Sequence, residues 1–163
     1  MKTFFVVLCF LVAVEAQAQV SPVPENAGRH LDRTVFGLGL SAGVASGFGL
    51  SFRQHFPSDF SYQIVGGIIK ADTKLHYNIG MEVQYDVVHG DKTRYFVGGA
   101  TGYFYSGPTT QNDLSGPFRL GGGIGGEWSN VAPFHLAAEV LFTYFSDGTV
   151  LPLPQVSCHY YFF

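Results

Sequence analysis

From residue 34 onward, apolar and polar residues alternate along the chain with a period of two. The clearest run has Leu75, Tyr77, Ile79, Met81, Val83, Tyr85 and Val87 on one parity. His76, Asn78, Gly80, Glu82, Gln84 and Asp86 occupy the other. A helix would mix the two sets around its circumference, whereas a strand sends them to opposite faces. The same pattern sets Phe48, Leu50, Phe52 and Phe56 against Gly49, Ser51, Arg53 and His55. Phe118, Leu120, Ile124 and Trp128 oppose Arg119, glycines and Glu127, and Phe134, Leu136, Ala138, Val140, Phe142 and Tyr144 oppose His135, Glu139 and Thr143.

Eight such runs are expected, at 34–44, 47–56, 60–70, 75–88, 94–105, 118–128, 134–145 and 155–163. Most have the roughly 9–12 residues that a tilted strand needs to cross a bilayer. The fifth run carries aromatics and glycines on both parities, so alternation does not assign its inside. With the N-terminus on the periplasmic side, the odd-numbered connections face outward. The fifth, 106–117, and the seventh, 146–154, are the longest, while those around Pro57-Ser58-Asp59, 89–93 and 129–133 are short. Short turns on one side and longer loops on the other suit an outer-membrane barrel, although the first and third connections are short too.

Composition chooses which face is wet. Only 13% of the residues are charged, 16% are aromatic, and 21 of the 163 are glycine. A soluble domain carries about 25% charge. The polar parity is rich in Gly, Ser and His, which suits a narrow lumen better than a water-exposed wall. The large apolar set suits lipid, with Tyr62, Tyr77, Trp128, Tyr144, Tyr160 and Phe162 as aromatic girdles. A soluble lipocalin-like barrel in the periplasm, with the faces reversed, is the alternative.

The first residues carry a short positive region (Lys2), an apolar run and an Ala16-Gln17-Ala18 site, the features of a cleaved secretory signal over 1–18. Pro22, Pro24 and Gly28 make 19–33 an irregular leader ahead of a barrel domain at 34–163. Cleavage leaves Cys158 alone, so neither a disulfide nor a zinc ligand set is expected. A net charge of −3 without basic runs gives no sign of nucleic-acid binding, and no cofactor motif is present.

The signal, the eight alternating strands and the terminal Tyr160-Tyr161-Phe162-Phe163 resemble the small outer-membrane β-barrel family typified by OmpA and OmpX. The resemblance implies an all-β, eight-stranded antiparallel up-and-down transmembrane β-barrel in a Gram-negative-type envelope. It also implies a monomer with outer-membrane lipid and lipopolysaccharide as surroundings, and biogenesis by the barrel-assembly machinery. In that family a C-terminal aromatic is an assembly signal, and here Phe163 and Tyr161 match its positions. The chain departs from the pattern in one respect: Val156, Cys158, Tyr160 and Phe162 form the apolar register, which leaves Phe163 on the parity of Ser157 and His159.

The polar parity places Arg53, Glu82, Asp86, Arg119, Glu127 and Glu139 in the lumen, with His55, His76, His135 and His159. Buried charges must be paired, so these residues are expected to form a satisfied network that plugs the barrel, with Arg119 pairing carboxylates such as Glu127. The functional expectation is a structural or interaction role through the outward loops, without catalysis. A lipid A-modifying enzyme is the alternative on this architecture. Lipid A deacylases carry a His-x-Ser pair on the seventh strand, but here Tyr144 stands two residues before Ser146. The prolines of the leader disfavour the amphipathic helix of a lipid A palmitoyltransferase.

Overall fold

The alternation closes on itself. In the computed structural model, which describes residues 34–162 apart from 72, 91, 109 and 132–133, eight antiparallel strands form a closed barrel in sequence order. They are β1 (Val35–Ala42), β2 (Phe48–His55), β3 (Phe60–Ala71), β4 (Lys74–His89), β5 (Thr93–Gly107), β6 (Phe118–Val131), β7 (Phe134–Phe145) and β8 (Val150–Phe162). β1 pairs with β8 from Phe36↔Phe162 to Ala42↔Val156, so no strand pair is left open. The signal at 1–18, the leader at 19–33 and Phe163 lie outside the described residues.

Each wall obeys the two-residue period. On β7, His135, Ala137, Glu139, Leu141 and Thr143 are buried while the residues between them are exposed. The exposed set is apolar: Leu50 and Ile124 are each 68% accessible. The buried set holds Arg53, Glu82, Asp86, Arg94, Glu127 and Glu139, and Arg53 and Glu82 are 0% accessible. A bulge interrupts β4 between Asp86 and Val88, so that Asp86 stays inside while Val87 and Val88 both lie outside.

Aromatic side chains cluster at both ends of the outer face. At the end holding the chain termini of the barrel, Phe134 meets Tyr160 at 5.3 Å, Phe36 lies between Phe162 and Phe52, and Phe60 meets Tyr85 at 5.0 Å. At the other end Tyr77 stacks on Tyr105 at 4.9 Å.

Two expectations change. β5 now has an inside: Arg94, Phe96, Ala100, Gly102 and Phe104 are buried. The seventh connection is shorter than 146–154, because β8 already begins at Val150. Its first residues, through Gln155, pair with β7 beyond the reach of β1, and such an edge tolerates Pro152 and Pro154. Tyr161, on the parity of Ser157 and His159, faces inward. It is 5% accessible.

Candidate functional site

The interior is the site, because the chain concentrates its chemistry there. An eight-stranded lumen is just wide enough for side chains to fill. Charges placed in it lose water and must find partners. Glu127 on β6 is the hub. Its Oε2 accepts from Arg53 Nη1 and, at 2.8 Å, from Arg94 Nη2. Its Oε1 lies 2.9 Å from His135 Nδ1, and the Tyr161 hydroxyl is 3.3 Å from both oxygens.

Arg53 spreads its planar fork over several acceptors, a geometry lysine cannot supply. Nε donates to Gln63 Oε1 at 2.9 Å and Nη2 to Ser157 Oγ at 3.2 Å. Gln63 passes the chain on to Ser41 at 3.3 Å. Arg94 bonds Asp86 through Nη1 and Gln84 at 2.7 Å through Nη2, and His89 lies 3.0 Å from Asp86. Gln84 donates to Glu82 Oε1, and Gln155 donates to Glu82 Oε2 and to Glu139 Oε1. Ser51 meets His159 Nε2 at 2.8 Å, and His55 meets the Tyr161 hydroxyl at 2.9 Å. The bonded side chains come from all eight strands, so the network laces every wall to its neighbours across the lumen.

The β1–β2 connection also turns inward. Its residues do not project outward as an ordinary hairpin turn would. Gly43, Ala45, Ser46 and Gly47 are buried, and Ala45 packs with Ala100 and Leu141 on the opposite walls. Room for this inward fold comes from two wall glycines. A Cβ at Gly80 would collide with the Ser46 carbonyl, and one at Gly102 with that of Ala45. Ser46 Oγ donates to Gln155 Oε1 at 3.1 Å, and Asn78 clasps Phe48 through its backbone N–H and C=O, both at 2.9 Å.

Arg119 belongs to this region and does not pair with Glu127. The two sit eight residues apart on one extended strand, about 27 Å, and Glu127 is taken by Arg53 and Arg94. Arg119 donates to the Val44 carbonyl at 2.9 Å and lies over the rings of Phe104 at 3.8 Å and Phe145 at 5.0 Å. Beside it, Asp147 accepts from the Thr149 N–H and the Ser115 hydroxyl, and these bonds hold its carboxyl below the usual carboxylate range.

Of the six charged residues expected in the lumen, Arg53, Glu82, Asp86, Glu127 and Glu139 therefore share one network, and Arg119 stands at the mouth. Arg94 is not legible as an inward residue from the sequence, because alternation assigns β5 no inside. Gln63, Gln84 and Gln155 carry no charge to mark them as network members, although they lie on the inward parity. Among the described residues no group of three or more His, Cys, Asp or Glu could hold a metal ion. Cys158 is half-buried on the outward register of β8.

No protein-family model matches the chain, and no curated protein sequence does. Among solved structures it is similar to the backbone structure of the Yersinia pestis outer membrane protein Ail in a phospholipid bilayer nanodisc, at 11% identity and a TM-score of 0.45, over 80% of this chain and 99% of that one. A likeness at that level fixes neither activity nor partner.

Proposed function

We propose that the chain is an integral outer-membrane β-barrel of the OmpA/OmpX kind, exported by its 1–18 signal. Its lumen is plugged, and its role is structural or interactive through the outward loops, not catalytic. The observation that carries this reading is the inversion of the two faces. Leu38, Leu40, Leu50, Ile79, Leu120, Ile124, Leu136 and Phe142 lie on the exterior while the ionic network lies inside. Soluble monomers rarely expose apolar patches larger than a few hundred Å², and a hydrocarbon surround removes that penalty. The same inversion argues against the soluble lipocalin-like alternative. In this reading outer-membrane lipid and lipopolysaccharide contact the exterior, the protein is a monomer, and the assembly machinery recognises Phe163 with Tyr161.

Two measurements on one preparation test it. The protein should sediment with the outer-membrane fraction, resist extraction without detergent, and run compact on gels until boiled, because a closed ladder has no free edge to open. Reconstituted in planar bilayers, it should show no long-lived conductance steps. Detergent-free solubility would sink the membrane reading, and stable large channels would sink the plug.

A further inference from the structure

The lumen holds an excess of acid. Asp86, Glu82, Glu127 and Glu139 face two guanidinium groups, Arg53 and Arg94. Both arginines are engaged by Glu127 and Asp86, which leaves Glu82 and Glu139 without an ion pair among the described residues. These two carboxyl groups surround a single amide nitrogen: Gln155 Nε2 donates to Glu82 Oε2 at 2.5 Å and to Glu139 Oε1 at 2.7 Å. The amide is oriented by its other end, where Oε1 accepts from Ser46.

The two carboxyl groups are not equivalent. Both oxygens of Glu82 accept a hydrogen bond, the second from Gln84 at 2.5 Å. Glu139 is 7% accessible, and its Oε2 has no partner among the described residues. That orphan oxygen and Glu82 Oε1 each lie 3.7 Å from the point where a Cβ on Gly98 would sit, so they converge over the same bare patch of β5. Arg53 and His55 on β2, Asp86 on β4, Arg94 on β5, Glu127 on β6, His135 on β7, and His159 and Tyr161 on β8 are further buried charged or titratable groups of the lumen network.

We propose that Glu139 is a proton-binding site, held as the neutral acid with its proton on Oε2 and directed at Glu82 Oε1. Two adjacent carboxylates in a dry interior repel, and one shared proton removes the repulsion. It also supplies the donor that the bonding pattern lacks, since a protonated carboxyl gains one O–H. The amide hydrogens of Gln155 occupy the space between the carboxyl groups where a metal cation would need lone pairs. The inference does not depend on which membrane, if any, holds the barrel.

Infrared spectroscopy of the purified barrel in detergent micelles tests it. At neutral pH the wild type should show a carboxylic-acid C=O band that shifts on 13C-glutamate labelling. Glu139→Gln should abolish that band and unfold at the wild-type urea concentration or above, because the amide N–H can donate where the O–H did. A wild type without the band, or a band that persists in Glu139→Gln, would overturn the assignment. So would an unfolding midpoint that rises with sodium or potassium in the absence of the band, which would make the occupant a metal cation. If Glu139→Gln does not fold, the isotope shift in the wild type still decides: no labelled acid band, no proton site.

Discussion

Arg53 on β2 and Arg119 on β6 both stand on the inward parity, and the fold uses them in opposite ways. Arg53 is fully buried and spends its donors on Glu127, Gln63 and Ser157. Arg119, half-buried at the mouth, has no carboxylate partner in the described structure; it lies on two aromatic rings and reaches a backbone carbonyl. A guanidinium shut away from bulk solvent deep in the lumen must have its charge cancelled locally. One at the mouth keeps part of its hydration and gains from ring faces instead. Position along the barrel axis, more than residue type, decides what an inward arginine is for.

Breaking the deep region should cost most. Glu127→Ala leaves Arg53 and Arg94 facing each other without their shared carboxylate, and the expected loss is about 3–5 kcal/mol. Urea unfolding in lipid vesicles, followed by the single tryptophan Trp128, would read it. Next come the wall glycines under the inward turn. Gly80→Val or Gly102→Val drives a side chain into the Ser46 or Ala45 carbonyl. The expected cost is about 1–3 kcal/mol, with protease access to residues 43–47 as the local readout.

Arg119→Ala removes one hydrogen bond and the ring contacts at a half-exposed site, so about 1 kcal/mol is expected. A loss as large as that of Glu127→Ala would erase the contrast between the two regions. The smallest effect belongs to the exposed Gln111 in the β5–β6 connection, where Gln111→Ala should stay within about 0.5 kcal/mol.

The eight strands are legible because an apolar exterior and a polar lumen both write a period of two, and the charged inward set follows once parity is assigned. Where the reading fails, a specific interaction hides the period. β5 looks two-faced because Phe96 and Phe104 point inward, where Arg94 lies over Phe96 at 4.7 Å and Arg119 over Phe104. Aromatics acting as seats for guanidinium groups break the rule that apolar means outside. The start of β8 is masked by Pro152 and Pro154, which normally signal a loop but are tolerated on an edge that only β7 covers. The inward turn left a faint trace. Gly43-Val44-Ala45-Ser46-Gly47 is small and uncharged, a poor composition for a water-exposed loop, and Gly80 and Gly102 lie on inward registers. Only the paired geometry of these distant segments joins the two clues.

Arg53 and Glu127 act as one buried unit that laces opposite walls together. A double-mutant cycle measures this directly, with Arg53→Met, Glu127→Leu and the double variant unfolded in urea from the same lipid vesicles. Glu127→Leu strands the buried Arg53, and Arg53→Met takes one of two guanidinium groups from Glu127, so each should be destabilising, the first more than the second. The double variant should recover much of the loss, with a coupling of about 2–3 kcal/mol. If instead the two losses simply add, the guanidinium and the carboxylate do not depend on each other, and this pair does not lace the lumen.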